Sequence, residues 1–220
     1  NDCVLLTTLL KYLETPQYFR RQLFPKMQLL KYAGVLHPLN IPNHLTVSNI
    51  PSLKIGDIRD ALIINYKGKK FLDLGIKKLI TYYGKEKPHT RITVQIKSIK
   101  PKLSIKEISS DYIKNYWGYK VKEKSNLFTL LSSWNGATIL TSKNGKTFNP
   151  SDIKKYNELN KPILIVFGSP EKGIHEILNE NVKKLQNTNT FNFFPNQATQ
   201  TVRLEEAILG TLSILNILGK

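Results

Sequence analysis

The spacing of hydrophobic positions changes twice along the chain. Residues 3–13, "CVLLTTLLKYL", are apolar around most of a helical circumference, which predicts a buried helix. Thr15-Pro16 then predicts a cap and a first-turn proline for a second helix through "QYFRRQLF". Pro25, Gly34, Pro38 and Pro42 divide the next stretch into short pieces, the mark of a connector. From about residue 45 to residue 110 the pattern becomes short β-branched or aromatic runs: "RDALIINY", "KKFLDLGI", "KKLITYY" and "TRITVQIKSI". The turn signals Lys67-Gly68-Lys69 and "GKEKPH" separate them. So many short strands in so brief a stretch predict a small β-barrel of the OB type.

From Trp117 onward the pattern is α/β. "ATILTS" (137–142) predicts a short strand leading into a polar loop, "SKNGK". "KPILIVFGS" (161–169) is almost wholly apolar, as expected of a strand covered on both faces of a parallel sheet. Ser169-Pro170-Glu171 predicts a helix start, with Ile174, Ile177, Leu178, Val182 and Leu185 at helical spacing. "TFNFFP" predicts a third strand, and "VRLEEAILGTLSILNIL" a last helix striped by Leu204, Ile208, Leu212 and Leu215.

Three loops, "TSKNGK", "FGSPEKG" and "FPNQATQTVR", follow these strands. In open α/β sheets ligands bind beyond the carboxyl ends of the strands, so the loops are expected to share one pocket. The third loop is rich in neutral amides and hydroxyls, which suit an adenosine, with Phe194 and Ile174 able to hold its ring. "GSPEKG" lacks the ending of a phosphate-cradling loop and puts Glu171 where a phosphate would sit. That favours S-adenosylmethionine, with its positive sulfonium, over ATP or NAD. Glu171 has an ordinary role as well, stabilising the first turn of a helix.

Composition adds a partner. A chain of 220 residues holds one large or two small domains, and 40% hydrophobic residues suffice for a core. The 33 Lys and Arg against 16 Asp and Glu give +17, and residues 54–124 carry 18 basic against 7 acidic. Such a segment suits RNA through phosphate neutralisation, or else serves as a solubilising surface. Lys69, Lys70, Lys77 and Lys78 are candidate phosphate contacts, as are Arg20 and Arg21 with their planar forks. Phe71, Tyr82 and Tyr83 either stack on bases or fill the barrel interior. One cysteine, Cys3, excludes an internal disulfide and a multi-cysteine zinc site, and predicts a reducing, cytoplasmic setting. His37, His44, His89 and His175 show no ligand spacing, so no metal is expected. No apolar run is long enough to span a bilayer and no secretory signal pattern is present, so no membrane role is expected. The chain opens at Asn1 without a methionine, directly before the first helical pattern, so a preceding segment is expected.

Taken in order, "YFRRQLFP…LLKYAGVLHPL", "YWGYKV", "ILIVFGSPEKGI" and "FPNQATQTVRLEEAIL" resemble the branch of SPOUT-superfamily RNA methyltransferases in which an OB-like barrel is inserted into the methyltransferase domain. The resemblance spans nearly the whole chain. It implies a methyltransferase domain made of 1–44 and 112–220 around a barrel at 45–111, with a trefoil knot near 137–205. It also implies a homodimer, S-adenosylmethionine in the knot with S-adenosylhomocysteine as product, and methylation of a uridine at ring nitrogen 3 in large-subunit ribosomal RNA. Carried over by position, cofactor contacts are Thr141, Ser142, Gly168, Ser169, Pro170, Gly173, Phe194, Gln197, Thr199 and Val202. Arg203 is the candidate for stabilising negative charge on the uridine, against an ordinary pairing with Glu205 or Glu206; Glu171 and Glu206 are candidate bases. Ala198 stands where the family's glycine is expected, and the family's first strand and helix are missing. The competing class is a non-catalytic RNA-binding or assembly factor that keeps the fold.

Overall fold

The computed structural model describes residues 2–44, 52–169 and 171–218. The chain is mixed α/β and divides into two compact units, residues 1–123 and 124–220. The first unit opens with α1 (Asp2–Glu14) and α2 (Gln17–Leu23). Contrary to expectation, α1 is not a buried helix: Val4, Leu5 and Leu6 are exposed, Leu6 at 58%. Nor does Thr15 cap α2. Its hydroxyl donates back to Lys11 O at 2.8 Å, closing α1 instead, and Pro16 holds the N-cap position.

Five antiparallel strands follow: β1 (Ile58–Tyr66), β2 (Lys69–Asp73), β3 (Ile80–Thr81), β4 (Arg91–Ser98) and β5 (Ser104–Ile108), in the order β3-β2-β1-β4-β5. Alternation explains the burial. Ala61 and Ile63 of β1, Leu72 of β2 and Ile92, Val94 and Ile96 of β4 share one core with Leu53, Leu74, Ile76 and Leu103. The β1–β2 hairpin closes through Lys67 and Gly68, both at positive φ, as a tight two-residue turn needs. β5 has a modest sequence signal, "SIKEI", and no strand was expected there.

The helices before this antiparallel sheet group with it rather than with the second unit. Arg91 of β4 forms ion pairs with Glu14 of α1 and, at 3.3 Å, with the buried Asp60 of β1. Residues 1–44 and 112–123 thus lie in the same compact unit as these strands. The expected boundary at residue 45 abuts residues 45–51, outside the described residues.

The second unit contains α3 (Leu127–Ser132), β6 (Ala137–Thr147), α4 (Pro150–Glu158), β7 (Ile163–Val166), α5 (Ile174–Leu178), β8 (Thr188–Asn192) and α6 (Leu204–Leu218). Its sheet is parallel, in the order β7-β6-β8. The sheet is covered by two apolar clusters. Ile139, Ile153, Tyr156 and Phe191 form one with part of α6, and Leu140, Val166, Ile174 and Leu178 form the other. The nearly continuous apolar run of β7 reflects this two-sided cover.

Candidate methyl-donor site

β6 departs from expectation where it matters most. The predicted polar loop is part of the strand: β6 continues to Thr147, and residues 142–145 bulge out of its pairing with β8. Thr141 and Lys146 both face Phe191, so the strand leaves the ladder and rejoins it at the same partner. Gly145 makes this possible, because a Cβ there would lie 2.8 Å from Phe191 C and 2.9 Å from Thr190 C. The return is clamped by Lys146, whose ammonium meets the buried Asp152 of α4 at 3.0 Å. Burial opposes ionisation of Asp152, but the Lys146 bond, the Asn149 N–H and the lysine charges outweigh it and hold the carboxyl below its ordinary range.

This bulge is tied to its neighbours on both sides. Thr141 Oγ1 donates to Val166 O at 3.0 Å, joining it to the end of β7. Lys143 Nζ donates to Gln200 O at 3.3 Å, joining it to the loop after β8. Asn192, the last residue of β8, secures both walls: its Nδ2 donates to Lys143 O at 2.8 Å, and its Oδ1 accepts from Phe194 N at 2.8 Å. The sequence reading missed Asn192. The only signal was an amide at a strand end, the position where such side chains bond to nearby backbone.

The expected helix start at 169–171 is displaced. Ser169 Oγ accepts from Lys172 N at 2.9 Å and donates to Lys172 O at 3.3 Å, a closed local turn that defers α5 to Ile174, with Gly173 as its N-cap. That turn uses up the Ser169 hydroxyl. Gly168 is needed for backbone approach, since a Cβ there would sit 2.8 Å from Lys172 O. Pro170 lies outside the described residues.

In the loop after β8, Gln197 Nε2 donates to Thr199 O and Gln200 O at 3.0 and 3.4 Å, so its amide braces the loop from within. Thr199 is exposed and Val202 half-buried. The Phe194 ring packs against Gly210 of α6, which holds the loop's start against that helix. Ala198 has no positive φ, so the glycine expected there is not required by the backbone. Glu206 Oε2 accepts from Arg203 N at 3.3 Å, the reach-back bond of a capping box, and is thereby occupied at the start of α6. The Arg203 guanidinium is exposed and, among the described residues, makes no ion pair; Glu171 is exposed too. Ser142 Oγ accepts from Asn144 N at 3.3 Å within the bulge.

The basic candidates lie in the other unit. Arg20 donates to Leu13 O and Thr15 O at 3.1 and 2.9 Å and lies over the Tyr12 ring at 4.5 Å, so it closes the end of α1. Lys70 Nζ donates to Glu86 O at 2.7 Å and reaches Gly84 O and Lys85 O at 3.4 Å. Arg21, Lys69, Lys77 and Lys78 are exposed. Tyr82 packs against the apolar core of the first unit, while Tyr83 is 93% exposed. Among the described residues, no group of three His, Cys, Asp or Glu side chains could hold a metal ion, and no helix is long and apolar enough to cross a membrane.

A family model described as "Putative RNA methyltransferase" matches residues 1–215. The chain belongs to this family. Its relatives include the 28S rRNA (uridine-N(3))-methyltransferases of Mus musculus and Homo sapiens, each 29% identical over 97% of this chain. The chain spans 59% and 60% of their lengths. An uncharacterized protein of Halobacterium salinarum is 25% identical over 96% of the chain, which spans 79% of it. Membership in the methyltransferase family gives the bulge and the loop joined to it a chemical context: such a protein needs a place for a methyl donor.

Proposed function

We propose that the protein is an S-adenosylmethionine-dependent RNA methyltransferase that methylates ring nitrogen 3 of a uridine in large-subunit ribosomal RNA, releasing S-adenosylhomocysteine. The observation that carries this reading is that the bulge of β6 is joined to the loop after β8 by Lys143 and Asn192, while Thr141 just before it bonds the last residue of β7. The residues present fit the donor. The walls offer neutral amides and hydroxyls, the Lys143 ammonium is turned toward Gln200 O, and Glu171 places a negative charge near the start of α5. The reading also includes the trefoil knot near 137–205, the OB-like barrel as an RNA platform, and a cytoplasmic setting. Support for a homodimer comes from α6, where Ile208, Leu209 and Leu212 line an open apolar groove of about 650 Å³ and Leu209 is 71% exposed.

In this reading Thr141, Ser142, Gly168, Ser169, Pro170, Gly173, Phe194, Gln197, Thr199 and Val202 surround the donor, many of them through backbone groups. The bound donor supplies an electrophilic methyl on sulfur. The protein aligns the uridine nitrogen with it. Arg203 holds the negative charge that develops on the uridine oxygens as the imide loses its proton, and Glu206 orients Arg203 through its backbone. Glu171 is the base. Calorimetric titration with S-adenosylmethionine, with ATP as control, tests the reading: saturable binding of the donor alone supports it. No binding favours an RNA-binding factor that keeps the fold.

A further inference from the structure

We propose that a polar cleft in the first unit, formed where residues 110–120 cross the outer face of β1 and β4, holds one unstacked nucleotide of single-stranded RNA, with Tyr112 and Tyr116 as stacking platforms at its rim. This rests on the RNA-substrate reading and adds to it a strand-holding site apart from the methyl-donor loops.

The cleft has a volume of about 520 Å³, within the ~300–1,000 Å³ of small-molecule sites. Its floor is a fixed polar network. Asp60, buried between the strands, accepts from Thr93 Oγ1 at 2.9 Å, Trp117 Nε1 at 3.0 Å and Asn43 Nδ2 at 3.2 Å, and pairs with Arg91. Arg91 also pairs with Glu14, so each of the three charges has an opposite partner although the carboxylates outnumber the guanidinium by one, and the floor presents hydrogen-bonding edges rather than a bare charge. Such a surface suits the edge of a base, which carries donors and acceptors without net charge.

The wall has a two-sided composition. Ser110, Ile113, Asn115 and Trp117 line the cleft. Between them Tyr112 and Tyr116 face solvent, 87% and 61% exposed. Neither belongs to the apolar clusters of this unit, and neither stacks on another aromatic among the described residues. Lys114 and Lys120 alternate with them and are exposed; Lys120 lies 3.9 Å from the carboxylate of the exposed Asp111, which also lines the cleft, a surface pair that a phosphate can displace. Exposed rings interleaved with cations beside a polar recess form a single-strand platform: every base offers a π-face, and the lysines follow the phosphates. Charge selects the partner. The first unit carries 22 basic against 9 acidic residues, net +13, against +4 for the second unit, which favours a polyanion over a neutral protein surface. A duplex keeps its bases stacked on one another and cannot use the platform.

The test is fluorescence anisotropy with a labelled oligouridylate, the same strand annealed to oligoadenylate, and polyglutamate as a competitor. The wild type should prefer the single strand. Tyr112→Ala and Tyr116→Ala should each weaken single-strand binding by roughly tenfold. Tyr112→Phe and Tyr116→Phe should retain binding, and all four variants should keep the wild-type salt dependence. Lys114→Gln and Lys120→Gln should instead flatten the salt dependence, lowering its slope by ~0.7 for each phosphate no longer neutralised. Both rings are at the surface, so the variants should fold as the wild type does. Equal affinity for duplex, equal competition by polyglutamate, or alanine variants that bind like the wild type would each overturn the proposal while leaving the methyltransferase reading intact. Failure to bind S-adenosylmethionine would sink that reading and leave a tyrosine effect standing. Absence of any RNA binding would overturn both.

Discussion

Removing the side chain of Asn192 isolates the joint between the β6 bulge and the loop after β8, two walls of the proposed methyl-donor site. Asn192→Ala deletes the donor to Lys143 O and the acceptor for Phe194 N, both at 2.8 Å. A hydrogen bond of this kind contributes about 0.5–1.5 kcal/mol net, and Asn192 is half-buried, so water replaces the missing partners only in part. The expected loss is about 2 kcal/mol. Asn192→Asp keeps an oxygen for Phe194 N but turns a second oxygen toward Lys143 O, so about 1 kcal/mol should go, with the bulge released and the later loop still held. Urea denaturation measures both. The midpoint should fall in the order wild type, Asp, Ala, with the slope unchanged, since little surface exposure changes. Donor affinity, measured by calorimetry, should fall in the same order, because the loose wall must be ordered on binding. An alanine variant within about 0.5 kcal/mol of wild type, the range of ordinary surface changes, would refute the joint. An aspartate variant as weak as alanine would show that the Phe194 bond carries nothing.

Gly145→Ala should destabilise by roughly 1–3 kcal/mol, because its Cβ would meet the backbone of Thr190 and Phe191, which cannot turn aside as a side chain could; urea midpoints check this. Asp152, its folded pKa depressed, contributes stability that is complete above the ordinary carboxylate value of ~4 and is lost as pH falls through the folded value. Asp152→Asn should therefore be less stable than wild type at neutral pH, and the difference should shrink in acid, as read from denaturation midpoints across pH. Substituting Lys77 and Lys78 by glutamine should lower the salt slope of RNA binding without changing stability. Lys70→Gln should also cost stability, because its ammonium holds the carbonyls of residues 84–86.

Much of this was legible in the sequence, for reasons that differ by element. The antiparallel strands β1, β2 and β4 announced themselves through alternation and hairpin turns, and β7 through its unbroken apolar run. Of the periodic positions, Ile174, Leu178, Val182 and Leu185 share one packed face while Ile177 is exposed, and the spacing could not tell one helix from two pieces. Asn179, at φ 48°, ends α5 after five residues, and a 3-10 segment carries the same face onward. The placement of α1 was misread because hydrophobicity reports what a residue tolerates, not what covers it. Candidate basic residues were chosen by charge alone. Arg20 and Lys70 instead bond backbone carbonyls within their own unit, contacts set by tertiary proximity that no local pattern encodes. The bulge in β6 escaped notice because "SKNGK" has the composition of a loop, and only pairing with β8 shows that the strand resumes.

That resumption makes residues 142–145 a replaceable cassette. Because Thr141 and Lys146 share Phe191 as partner, the number of residues between them does not enter the register of the sheet. A longer or shorter insert would leave every later side chain on its present face. A lineage could thus lengthen, shorten or recharge this segment of the proposed site without redesigning the core beneath it. Gly145 limits this freedom, since whatever replaces the segment must still pass close beside the backbone of β8.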